Sequence, residues 1–187
     1  IQGLSKELPM ATVDIIKMYE AGAKMNVPRE ELAGYVTEAV KAANAFDAAD
    51  PQQLAEELGR IRQNFKLSKE AASELVNVIN YLDDNALVTG DQLIGYMNEV
   101  SGSLGLAKIS EKHTAALGST LISAGADAGT AAKAVSSLFT RLSTAPDMKP
   151  VRKALQGIGL DAKEVQKGML RQTHPTPVSY THLTLPT

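Results

Sequence analysis

Apolar residues recur at helical spacing along almost all of this chain, and a cap, proline or glycine interrupts them roughly every 20 residues. Strict alternation is nowhere sustained. A chain punctuated this way has little choice but to stack short helices. The spacing predicts a first helix over Thr12 to Lys24, with Ile15, Ile16, Tyr19 and Ala23 inward, and Asn26-Val27-Pro28 breaks it from the next. A second is expected from Pro28 to Asp47 on Leu32, Val36, Ala39, Ala43 and Phe46, with Glu30 and Glu31 in its first turn. Asp50-Pro51 has the N-cap and first-turn chemistry of a third, on Leu54, Leu58, Ile61 and Phe65. Ser68 caps a fourth, on Ala72, Leu75, Val76, Ile79 and Leu82, which ends near Asn85 in the left-handed position.

Thr89 and Gln92 form a capping-box pattern ahead of Leu93, Met97, Val100 and Leu104, with a stop at Gly105. Ser110 opens another helix with Leu117, Leu121 and Ala124 inward, stopping at Gly125. Asp127 caps the next, with Ala131, Val135, Leu138 and Leu142 inward, ended by Ala145-Pro146. A segment around Val151 to Leu155 precedes a last short helix on Val165 and Met169, opened by Asp161 and Glu164. The expected fold is all-α, with seven to eight helices packed as antiparallel hairpins joined by short turns. Helix starts of the form apolar-small-x at Val27, Leu67 and Ile109 recur about every 40 residues, a pattern expected of a solenoid-like stacking of hairpins.

Composition narrows the function. Aromatics are 4% with no Trp, so Ala and Leu carry the apolar content, in keeping with helix. With 19 Lys and Arg against 21 Asp and Glu, the net charge of −2 gives no strong nucleic-acid signal. The absence of cysteine excludes disulfides, thiolate metal sites and a Cys nucleophile. No apolar run approaches the roughly 20 residues that cross a bilayer. The chain opens on Ile1 without a signal-peptide pattern and reads as an internal piece of a longer protein.

Two stretches carry a family resemblance. One runs from Ala45-Phe46 through Leu67-Ser68 to Val78-Ile79-Asn80-Tyr81-Leu82-Asp83-Asp84-Asn85. The other joins Lys108-Ile109-Ser110-Glu111-Lys112-His113-Thr114-Ala115-Ala116-Leu117-Gly118 to Gly125-Ala126-Asp127-Ala128-Gly129-Thr130-Ala131 and Leu138-Phe139-Thr140-Arg141-Leu142. In order and spacing, these resemble the core domain of phage tail tape measure proteins of the minor-tail type, over Leu4 to Leu170. Each motif alone is unspecific, and the ordered set carries the likeness. Pro28 departs from it where such domains tend to carry a polar cap, and the Gly102 and Gly105 pair is modest. The resemblance implies a structural, non-enzymatic protein of the virion tail, assembled in the host cytoplasm, which fills the tail tube and sets its length. It implies as partners the tail tube, the tail tip, assembly chaperones and other copies of itself, with no cofactor and no small-molecule substrate. A generic α-helical adaptor is the alternative. A cell-wall hydrolase module would need facing acids or a metal set.

The residues that could carry chemistry are few. His113 has no acid or histidine at ligand spacing and reads as a surface residue. Asp83-Asp84-Asn85 lacks the acidic ligands of a calcium loop and reads as a polar helix end. Glu30-Glu31 and Glu56-Glu57 are adjacent, so each pair points about 100° apart on a helix and reads as solvated. Gly102-x-x-Gly105 lacks the lysine of a phosphate loop. Ala128, Ala132 and Ser136 form a small-residue stripe suited to close helix packing, internal or against a partner. Lys149, Arg152 and Lys153 are a basic run too small to hold DNA. No catalytic, cofactor-binding or metal residue is expected.

Composition shifts after Arg171 to an uncharged stretch rich in Pro and Thr, so 1–171 is expected as the helical domain and 172–187 as a separate tail. Pro177 to Thr187 resembles a translated sequencing-adapter read, and His174 and His182 are discounted with it.

Overall fold

The computed structural model describes residues 10–107 and 109–171. The tail at 172–187, with its adapter-like stretch, lies outside the described residues. The described elements are α1 (Thr12–Lys24), α2 (Leu32–Ala45), α3 (Pro51–Phe65), α4 (Lys69–Asn85), α5 (Gly90–Leu106), α6 (Glu111–Ser123), α7 (Ala128–Ser143), α8 (Lys149–Gly157) and α9 (Ala162–Arg171). No strand occurs among them, and the fold is all-α. The described helices number nine rather than seven to eight, because the segment around Val151 forms a helix of its own, with Pro150 in its first turn.

Local chemistry starts most of these helices. Asp50 Oδ1 accepts from the Gln52 and Gln53 amides at 3.0 Å each. Ser68 Oγ accepts from Ala71, Asp127 Oδ1 from Thr130, and Asp161 Oδ1 from Lys163 and Glu164. The capping box closes in both directions, Gln92 N donating to Thr89 Oγ1 at 3.2 Å and Thr89 N to Gln92 Oε1 at 3.0 Å. Ser110 stands at the N-cap with extended backbone but makes no side-chain cap bond.

A backbone feature found also at Ala48, Ala126 and Leu160 is shared by Val27, Leu67 and Ile109. Their amides donate to Gly22, Arg62 and Leu104 carbonyls, respectively, each bond reaching back five residues. That is the longer bond of a Schellman closure, with an apolar residue just past the helix end. It terminates α1, α3 and α5 alike and launches α2, α4 and α6. The helices then sort into two rows. α1, α3, α5 and α7 pack side by side in chain order, and α2, α4 and α6 form the second row against them. This is the solenoid-like stacking of hairpins that the spacing anticipated. α9 continues the first row by packing on α7, with α8 against α9.

One buried cluster runs through both rows from Ile15 to Val135. α5 is its centre, burying Leu93, Ile94, Tyr96, Met97, Val100 and Leu104. A second, small cluster of Ala145, Leu155 and Ala162 lies under α8 and α9, with Leu142, Val151 and Val165 around it.

The structure corrects several local expectations. α2 starts at Leu32, because Glu31 and Leu32 both donate to the Pro28 carbonyl and residues 29–31 form a turn. Glu30 and Glu31 therefore precede the helix instead of occupying its first turn. Asn85 is the last residue of α4, not a left-handed cap; its side chain donates to Tyr81 O at 2.8 Å, and Asn26 takes a left-handed conformation after α1. Gly105 does not stop α5, which runs on to Leu106. A Cβ at Gly105 would lie 2.3 Å from the Asn64 carbonyl oxygen, so the glycine lets α3 and α5 approach. The inward faces of α6 and α7 are rotated from the predicted stripes. Thr114, Ala115, Gly118, Ser119 and Ile122 are buried on α6, and Ala131, Ala132 and Val135 on α7. Leu117, Ala124 and Leu138 face out, as do Ile16 and Ala23 on α1.

Candidate interaction surface

The residues singled out for chemistry are scattered. His113 is exposed on α6. Asp83 Oδ1 accepts from the Gly90 amide at 2.9 Å and so ties α4 to α5, while Asp84 accepts from Asn80 Nδ2 at 3.2 Å within α4. Glu31 is not simply solvated: its carboxylate pairs with Arg62 of α3. Glu56 pairs with Arg60 at 3.6 Å. Of the small-residue stripe on α7, Ala132 is buried, and Ser136 Oγ lies 3.2 Å from Ser103 Oγ of α5. That stripe is used for internal packing. Among the described residues no group of three or more His, Asp or Glu could hold a metal, and no helix is long and apolar enough to cross a membrane.

The cavities are poorly suited to a substrate. One of about 40 Å³ lies between α2, α3 and α4, walled by Tyr35, Ala39, Leu58, Ile61, Leu75 and Val76. It has room for water rather than a ligand, whose pockets usually span about 300 Å³ or more. A second, of about 290 Å³, is an open depression at the α1–α2 turn with Arg62, Gln63 and Lys66 and no carboxylate.

The buried titratable groups are structural phenols. The Tyr35 hydroxyl donates to the Ala55 carbonyl across α2 and α3. The Tyr96 hydroxyl is buried against α6 with no partner among the described residues. Desolvation pushes both phenols above their ordinary range, with the Glu56 charge adding to the effect at Tyr35. Half-buried Glu57 is also raised, chiefly by desolvation, despite a hydrogen bond from Gln53, and the carboxylates of Asp91 and Glu99 add to the rise.

What the surface does offer is exposed apolar groups and a lopsided charge. Leu87 is 84% exposed, Ile158 71%, Tyr81 65% and Val13 61%. Residues 1–140 carry twelve Lys and Arg against eighteen Asp and Glu, a net of −6; residues 141–171 carry seven against three, a net of +4. The near-neutral total hides this division.

Residues 1–176 match the family model described as phage-related minor tail protein. The chain belongs to that family. No curated protein and no solved structure matches it. This minor tail protein is a structural component of a phage tail and works among other tail proteins. The exposed Leu87, Ile158 and Leu160 of the minor tail protein had no sequence signal, because each lies in a turn outside the helical stripes.

Proposed function

We propose that this minor tail protein is a segment of a tape measure protein, the component that fills the tail tube and sets tail length, and that it anchors rather than rules. The proposal includes the tube, tip and assembly chaperones as partners, assembly in the host cytoplasm, and no enzymatic activity. The ordered set of motifs from Ala45 to Leu142 supports the family branch. One observation carries the anchoring role: no described helix exceeds 17 residues. Such a helix is about 25 Å long, and stacking helices side by side makes length nearly independent of residue count. A ruler needs the opposite.

The test is an in-frame deletion of residues 28–142 from the phage gene, with the particles imaged by electron microscopy. Anchoring predicts failed assembly, or tails of irregular length. Tails shortened by about 1.5 Å per deleted residue would return this segment to the ruler. Normal infectious tails of unchanged length would refute the tape measure reading and favour a generic helical adaptor.

A further inference from the structure

The division of charge coincides with a division of the fold. The basic part is the α8–α9 hairpin, which sits on its own small apolar cluster. Lys149, Arg152, Lys153 and Lys163 are exposed there and form no ion pair among the described residues. The turn between the helices carries Ile158 and Leu160, 71% and 46% exposed. An apolar tip framed by unpaired cations is a docking element without a partner.

The complementary surface is on the same molecule. Glu57 of α3 lies near enough to Asp91 and Glu99 of α5 to feel both charges, with Arg60 of α3 opposing them. None of the three acids is in an ion pair among the described residues. Beside them on α5, Gly95 and Gly102 have nothing within 4 Å of where a Cβ would stand, so no neighbour among the described residues requires them to be glycine. Gly22, Gly59 and Gly105 of the same row differ, each facing a neighbour closer than 3.0 Å. The outer face of α5 is therefore low and open at Gly95 and Gly102, with Asp91 on it and the Glu99 carboxylate at its border with Gly129 of α7.

We propose that the α8–α9 hairpin of one copy docks on the acidic outer face of α3 and α5 of a second copy. Charge complementarity selects this occupant: a −6 body and a +4 hairpin on one chain attract between copies. The contact is head-to-tail, because the two surfaces differ, and so it builds open chains or rings rather than a closed two-fold dimer. The inference stands apart from the length-setting role.

Sedimentation velocity on the full chain at low and high salt tests it. Self-association is expected at low salt, weakened about tenfold or more at 0.5 M salt as the charges are screened. Lys153→Glu with Lys163→Glu should abolish it, and so should Asp91→Lys with Glu99→Lys, each with unchanged circular dichroism. Mixing the two variants pairs a reversed hairpin with a reversed face, and so should restore association between them. Wild-type chain that stays monomeric at low salt overturns the proposal, as does association that survives both reversals. Monomeric chain whose hairpin instead binds anionic vesicles or duplex DNA also overturns it, and assigns the surface to that partner.

Discussion

Single residues of one type do opposite things in this fold, and the difference is geometric. A Cβ on Gly118 would come within 2.3 Å of the Tyr96 ring, which is fully buried and has no room to retreat. Gly118→Ala should therefore destabilise by about 1–3 kcal/mol, overpacking outweighing the gain in helix propensity. Gly102→Ala meets open space and should stabilise by about 0.5–1 kcal/mol. Urea denaturation at high salt separates the two signs. The two phenols make a similar pair. Tyr96→Phe removes a hydroxyl that has no partner among the described residues and should be neutral or stabilising by about 1 kcal/mol, whereas Tyr35→Phe loses a bond to Ala55 and should cost about that much. Both phenols ionise less readily folded than unfolded. Their contribution is thus complete below the unfolded pKa of about 10 and is lost as pH rises above it. Melting temperature followed upward from pH 9 should fall less steeply in the double Phe variant than in the parent.

At the scale of the helix, the legible features were those set by neighbours in sequence. Asp50, Ser68, Asp127, Asp161 and the Thr89–Gln92 box all cap where expected, because a cap needs only a side-chain oxygen and an amide two or three residues on. Thr89→Ala should cost about 1 kcal/mol by unfastening the start of the central helix α5, measurable as a lowered urea midpoint with unchanged slope. The faces of α2, α3, α4 and α5 were legible too, since large residues point in. α6 and α7 broke that rule. They approach their neighbours through Thr114, Ala115, Gly118, Ala131 and Ala132, so the small residues are inside, and Leu117 and Leu138 stand outside at 38% and 49% exposure. Helical spacing places residues on a common face but does not say how closely the next helix will come. Gly105 was misread as a stop for the same reason: only the Asn64 backbone, forty residues earlier, explains it. The candidate surface was equally hidden, since net charge sums over a long acidic part and a short basic one.

At the scale of the molecule, a stacked fold need not be uniformly stable, because each unit contacts only its neighbours. α1 to α7 share one continuous buried cluster, and α5 sits in its middle, touching α3, α4, α6 and α7. The end of the stack is held differently. α8 and α9 bury Ala145, Leu155 and Ala162, and only Leu155 is large. Even with Leu142, Val151 and Val165 packed around it, that is far less apolar burial than holds α1 to α7 together. The Gln166 side chain adds one bond to the Ser143 carbonyl of α7 at 2.6 Å. The hairpin should therefore open without the rest of the chain unfolding. Native-state hydrogen exchange will show this as two tiers, with the amides of Ile94 to Val100 exchanging only through global unfolding and those of Arg152 to Leu155 through a far cheaper local opening. Raising urea should speed the first tier strongly and leave the second nearly flat, since local opening exposes little surface. A single tier with one urea dependence would mean that residues 10–171 unfold as one unit and that the second cluster is an extension of the first. In two tiers, the basic hairpin is instead a loosely held arm at the end of the stack, and its exposed tip and cations stay available to a neighbouring copy.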